Sequence, residues 1–112
     1  MPVYVDRLRV YPPSAYRGAG SQQARRIGEK HGHRWCHLLA DTESELHFFA
    51  EQLGMRREWA QGDHYDLVPS RRKRALFLGA IEVGDAWAVA VRKAWRGNHE
   101  QRNEGTETTE GG

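Results

Sequence analysis

Residues 34–54, RWCHLLADTESELHFFAEQLG, leave the chain little structural freedom. RWCHLLAD is an apolar run of strand length. Thr42 and Glu45 then form a capping box, in which each side chain satisfies the other residue's free backbone N–H. Leu46, Phe49, Ala50 and Leu53 follow at i, i+3, i+4 and i+7, one apolar stripe on one helix face. Gly54 supplies the left-handed stop. A strand that runs straight into a one-sided helix must have a sheet beneath that helix.

The rest of the chain repeats this alternation. VYVDRLRV, Val3 to Val10, alternates apolar and polar residues and reads as a first strand. YPPSAYRGAG is turn chemistry. SQQARRIGEKHG predicts a short polar helix with Ser21 as N-cap and Gly32 past its end. HYDLVP is a third strand, ended by Pro69. Ser70 is the expected N-cap of RRKRALFLG, a helix stopped by Gly79. AIEV is a fourth short strand. GDAWAVAVRKAWRG fits a helix from an Asp85 cap to Gly97, although Trp87, Val89 and Val91 also alternate like a strand. Alternating strands and helices predict one small α/β domain over 1–97, with about four short, mainly parallel strands and three or four helices. From Asn98 the sequence has no apolar residue, so 98–112 is expected to be a disordered tail.

Composition limits the chemistry. A chain of 112 residues fits one domain with one core. The lone Cys36 excludes an intrachain disulfide and a cysteine-rich zinc finger, and suits a small core residue. No apolar run is long enough for a membrane span, and MPVYVDRLRV lacks the layout of a signal peptide. The expected location is cytoplasmic, without a membrane partner. A net charge of +2 is too small to argue for nucleic acid by itself. Basic residues nevertheless concentrate in 25–34 and 71–74.

Two clusters could carry chemistry. Side chains alternate on a strand, so Trp35, His37, Leu39 and Asp41 share one face, as do His64, Asp66 and Val68. If these strands are neighbours, His37, His64 and Asp66 converge. Two histidines and a carboxylate are the donor set of a divalent-metal site or an acid/base pair. Core or rim histidines bonded to backbone or carboxylate are the plainer outcome. His47, on the capped helix, is expected to pair with a helix carboxylate, Glu43 or Glu51.

The second cluster is SRRKR. A helix start exposes free N–H groups and a partial positive charge, so four bases in its first turn are unfavourable unless an anion is near. Ser70, Arg71 and Arg72 are therefore candidates to hold a phosphate or carboxylate. Trp59 and Gln61, in the preceding connector, are candidates to line the same pocket, Trp59 by stacking on a base. In an open parallel sheet ligands bind beyond the strands' carboxyl ends. That places Asp6, Arg7, Asp41, Gly84 and Asp85 near Arg71, with the histidines mid-sheet and away from it.

VYVD, RWCHLLADTESELHFFAEQLGMRREW and HYDLVPSRRKRALFLGAIEV together resemble the domain of unknown function 4031 family, small proteins of bacteria and their phages. The shared pattern is W-C/S-H-L-x-A-D, then E-L-H-x-F-A, then H-Y-D-L/V-T/V-P-S-x-R, then G-A-x-E/P-V. The resemblance spans Val3 to Val83 apart from an insertion at 12–33. It implies membership and no activity, and it assigns nothing to Arg17, Arg25 or Arg26. The expected function is binding of an anionic, phosphate-bearing ligand, a nucleotide or a nucleic-acid end, by a protein that could be a hydrolase. The alternative is a non-catalytic accessory module for nucleic acid or protein, with 25–34 and 71–74 as its contact face.

Overall fold

The computed structural model describes residues 2–18 and 20–95. The strands are β1 (Val3–Val5), β2 (Arg9–Val10), β3 (Arg34–Ala40), β4 (Tyr65–Leu67) and β5 (Ile81–Glu82). The helices are α1 (Ser21–Lys30), α2 (Glu43–Gln52), α3 (Pro69–Phe77) and α4, residues 85–95. This is a small α/β domain with one mixed five-stranded sheet. The expected tail, 98–112, and the Gly97 stop lie outside the described residues. No helix among those described is long and apolar enough to cross a membrane.

The expectation of a mainly parallel sheet needs correcting. β3 pairs antiparallel with β1, β2 and β4, and only β1 and β5 pair in parallel. These pairings give β1, β4 and β5 one common direction. Of the helical connections only α3 joins strands of one direction, β4 and β5. α1 and α2 each join strands that pair antiparallel, so the helices are not the parallel crossovers that the alternation implied. The neighbours differ because β3, the one reversed strand, lies between β1 and β4. Asp41, after β3, is consequently at the opposite end of the sheet from Asp6.

The first strand is broken in the middle. Val5 pairs with Leu38 and Arg9 with Trp35, so four steps along the first strand face three along β3. One extra residue makes a bulge, which bends the strand and re-aims side chains. Asp6 stands at its start. Its N–H donates to the His37 carbonyl, 3.3 Å. The return bond is not made by the Asp6 carbonyl. The His37 N–H donates to the Asp6 carboxylate Oδ1 at 2.6 Å, and the freed carbonyl accepts the Arg72 Nε–H at 2.9 Å.

Alternation along the strands sorts the residues into two faces. Val3, Val5, Cys36, Leu38, Ala40, Tyr65 and Leu67 pack with Leu46 and Ala50 of α2, with Leu53 just past its end, and with Ala75 of α3. Each fully buried leucine here contributes roughly 1.5–3 kcal/mol. The other face carries Tyr4 and Leu39 under Ala88 of α4, then Asp6, His37 and Asp66. Thr42 caps α2 as expected, its hydroxyl accepting from the Glu45 N–H at 3.3 Å. Three other caps differ. Asp85 is itself the first residue of α4, and its carboxylate is bound to Arg7 and Arg9. Gly20, not Ser21, precedes α1, and Val68, not Ser70, precedes α3, because Pro69 takes the first helical position.

Candidate metal centre and adjoining cleft

His37 and Asp66 are cross-strand partners on β3 and β4, and His64 stands just before β4 on the same side. The two imidazole rings meet edge to face, centroids 4.7 Å apart. One ligand atom each from His37, His64 and Asp66 fit within 4.8 Å of one another. The three residues singled out by strand alternation therefore do converge.

Their surroundings say more than their proximity. His37 Nδ1 is 2.7 Å from Asp6 Oδ2, and His64 Nδ1 is 2.8 Å from Asp63 Oδ1. An ionised carboxylate only accepts, so each imidazole carries its proton on Nδ1. That leaves both Nε2 lone pairs available, the tautomer a metal ligand requires. Asp66 is held too. It accepts from the Tyr11 hydroxyl on Oδ1, 3.1 Å, and from the Gln61 amide on Oδ2, 2.7 Å. Asp63 is steadied by the Arg92 Nε–H of α4, 3.1 Å from its Oδ2.

Electrostatics support the ionised carboxylates. Burial alone would raise the Asp6 carboxyl, but the ring and backbone N–H groups of His37 outweigh it and hold the value below the usual one. Asp63 is likewise lowered: burial opposes, and bonds from His64 and Arg92 prevail. Burial pulls His64 below its ordinary value despite Asp63 and Asp66, which keeps the ring neutral. Burial, then Asp66, pushes the Tyr11 phenol upward, so it stays a donor. One consequence is unusual. His64 Nε2 and Asp66 Oδ1 face one another at 3.6 Å as two acceptors. A cation between them would turn repulsion into coordination.

A cleft of about 570 Å³ adjoins the triad, within the size range of small-molecule sites. Asp66, Tyr11 and Gln61 are part of its wall, with Trp59 and Arg71. The Arg71 guanidinium lies over the Trp59 ring, 5.4 Å from its centroid. Arg71 and Asp66 thus border one cavity, where the sequence suggested separate places. Of the basic cluster, Arg71 alone is in that wall. Arg72 is only 14% exposed, and its guanidinium is bound to Glu82 at 2.6 Å as well as to the Asp6 carbonyl. It ties α3 to β1 and β5, so part of the basic charge at this helix start is answered internally. Ser70 is exposed on the first turn of α3. His47 pairs with Glu43 as expected, at 3.6 Å, and its Nδ1 lies 2.7 Å from the Tyr65 hydroxyl.

The family model for the protein of unknown function DUF4031 matches residues 24–95. The chain belongs to that family. No curated protein and no solved structure matches it. His37, His64 and Asp66, together with Asp63, Arg92, Trp59 and Arg71, lie in the matched segment. Asp6 and Tyr11 lie before it, although the resemblance read from the sequence began at Val3, and residues 24–33, read from the sequence as part of an insertion, lie within the match. The DUF4031 match also runs on through α4 to Trp95, past Val83.

Sequence reasoning missed Asp63, Arg92 and Tyr11 as members of the site, and it placed Asp6 with Arg71, away from the histidines, when Asp6 in fact binds His37. Asp63 directly precedes His64, and that adjacency was the signal available. Asp6 depends on the bulge, and Arg92 and Tyr11 depend on packing between distant segments, for which spacing gives no sign.

Proposed function

We propose that this chain binds a divalent metal ion through His37, His64 and Asp66 and uses it to hold, and to hydrolyse, a phosphate-bearing ligand. The observation that carries this reading is the oriented donor set. Each histidine is fixed through Nδ1 by its own carboxylate, and each Asp66 oxygen is fixed by a donor. Histidines that only fill a core have no need of two separate carboxylates aligning two free lone pairs. Two histidines and one carboxylate leave coordination positions open for water and ligand. A bound divalent ion lowers the pKa of a coordinated water and polarises a phosphoryl oxygen, which is what phosphoester hydrolysis needs near neutral pH. Arg71 in the cleft wall supplies a second positive group for a phosphate oxygen.

The experiment is isothermal titration of the protein with Mn²⁺ and Zn²⁺, alongside His64→Ala, followed by assay on a chromogenic phosphodiester. One site per chain, lost in His64→Ala, is the expected result. Metal uptake that His64→Ala leaves unchanged would refute the assignment. Uptake without any turnover would leave a binding site and remove the hydrolase.

A further inference from the structure

The metal site accounts for one end of the cleft, and a phosphate group would fill only a small part of its volume. The remaining wall has a different character. It carries four aromatic side chains, Tyr11, Tyr16, Trp35 and Trp59, drawn from separate segments of the chain. Tyr16 is its hub. The Trp35 indole N–H donates to the Tyr16 hydroxyl at 2.9 Å, and that hydroxyl lies 2.9 Å from His33 Nδ1. Trp35 is in turn stacked on Tyr11, centroids 6.0 Å apart and planes 20° apart. Gly28 of α1 permits this arrangement, since any Cβ there would collide with the Tyr16 hydroxyl. Tyr16 is therefore pinned to β3 by a part-buried hydrogen bond from Trp35.

Trp59 and Arg71 form part of the same cleft. Arg17, exposed at the rim, has its Nε–H held by the Ser14 carbonyl at 2.8 Å. Aromatic faces fixed before the ligand arrives favour a flat ring at low entropic cost. One guanidinium lies over each of two of these rings, Arg25 over Tyr16 and Arg71 over Trp59, and with Arg17 at the rim they favour an anion attached to the bound ring.

We infer that the cleft takes a nucleotide unit, with its base against the aromatic wall and its phosphate directed toward Asp66. This rests on the metal-site reading for the phosphate end and on Tyr16 and Trp59 for the base. The same chemistry could come from a free mononucleotide or from the end of a single strand.

The test compares adenosine 5′-monophosphate, ribose 5-phosphate and a short 5′-phosphorylated single-stranded oligonucleotide, each titrated with and without Mn²⁺. The nucleotide should bind at least about ten-fold more tightly than the sugar phosphate, the minimum expected of one stacked base. Trp59→Leu should lower the affinity for the nucleotide by more than that for ribose 5-phosphate, whose Arg71 contact packs on Trp59, and so shrink the ratio, while leaving Mn²⁺ affinity unchanged. Arg17→Gln, at an exposed position, should weaken both phosphates alike and keep the ratio, which provides a second variant if Trp59→Leu does not fold. Tighter binding of the oligonucleotide would identify a strand end, and tighter binding of the monophosphate a free nucleotide; either result supports the inference. Equal affinities for the nucleotide and the sugar phosphate would overturn it, even with the metal bound. Failure to take up Mn²⁺ would instead refute the metal site, and the ratio measured without metal would still decide the base.

Discussion

The two faces of β3 use neighbouring residues for opposite purposes. On one face Cys36, Leu38 and Ala40 vanish beneath α2 and α3. On the other, one residue away each time, Trp35 closes a cleft, His37 joins the polar cluster and Leu39 packs under α4. The first face is held by the absence of water. The second combines a small apolar patch with a network of carboxylates and imidazoles that must be satisfied bond by bond. One strand therefore contributes both to the core and to the polar cluster, and substitutions on its two faces should separate the two.

The largest effect should come from the apolar face. Leu38 is fully buried, and Leu38→Ala should cost about 2–5 kcal/mol in urea unfolding, lost transfer energy plus a cavity. Metal affinity measured below the unfolding transition should not change. If Leu38→Ala weakened metal binding as much as His64→Ala does, the two faces would not be independent. The comparison would then fail.

Next is the support around the histidines. Asp63→Asn removes the charge that fixes the His64 tautomer and receives Arg92. Loss of such an outer partner typically lowers metal affinity ~10–100-fold. The variant should stay folded at neutral pH, as circular dichroism would show, so a fall in affinity with intact structure is the expected result. Unaltered affinity would mean that Asp63 supports only the fold.

Acid sensitivity should be smaller, and its direction is fixed. The His64 pKa is lowered from 6.5. Below that value the unfolded chain takes up a proton that the folded one resists, so stability falls as pH drops toward the folded value. Asp6 and Asp63 are lowered from 3.8. Their contribution is present above 3.8 and is lost as pH falls through their folded values. Melting temperature against pH, in chelator, should therefore decline in two stages. His64→Gln should remove the upper stage and Asp6→Asn should reduce the lower. An upper stage that survives in His64→Gln would assign it to another group.

The sequence disclosed the parts of this molecule that obey a local period. The α2 stripe and its Thr42 cap stand where the spacing put them, and the convergence of His37, His64 and Asp66 follows from alternation on paired strands. What it did not disclose depends on which strands are neighbours. The order of the sheet, the displacement of Asp41 and the internal binding of Arg72 all follow from β3 lying beside β1. Strand periodicity is the same for parallel and antiparallel pairs, so no period could reveal them. The bulge at Asp6 is a single extra residue, and it removes the alternation by which the rest of the strand was read.

The smallest effect is a contrast between adjacent residues. Cys36 and His37 are neighbours in the chain and lie on opposite faces of β3. Burial, with a lesser contribution from Asp6, pushes the Cys36 thiol up to about 12. At neutral pH almost none of it is thiolate, the form that reacts. Diethyl pyrocarbonate, which modifies accessible neutral imidazole, should find His37 and His64 slow but reachable, since their side chains keep 16% and 12% exposure. Iodoacetamide should find Cys36 inert until the chain unfolds. Saturating Mn²⁺ should protect the histidines and leave the cysteine's rate as it was. Should the metal instead alter alkylation of Cys36 at a denaturant concentration too low to unfold the chain, the apolar face would be opening with the site. The separation of stability and chemistry across β3 would then be incomplete.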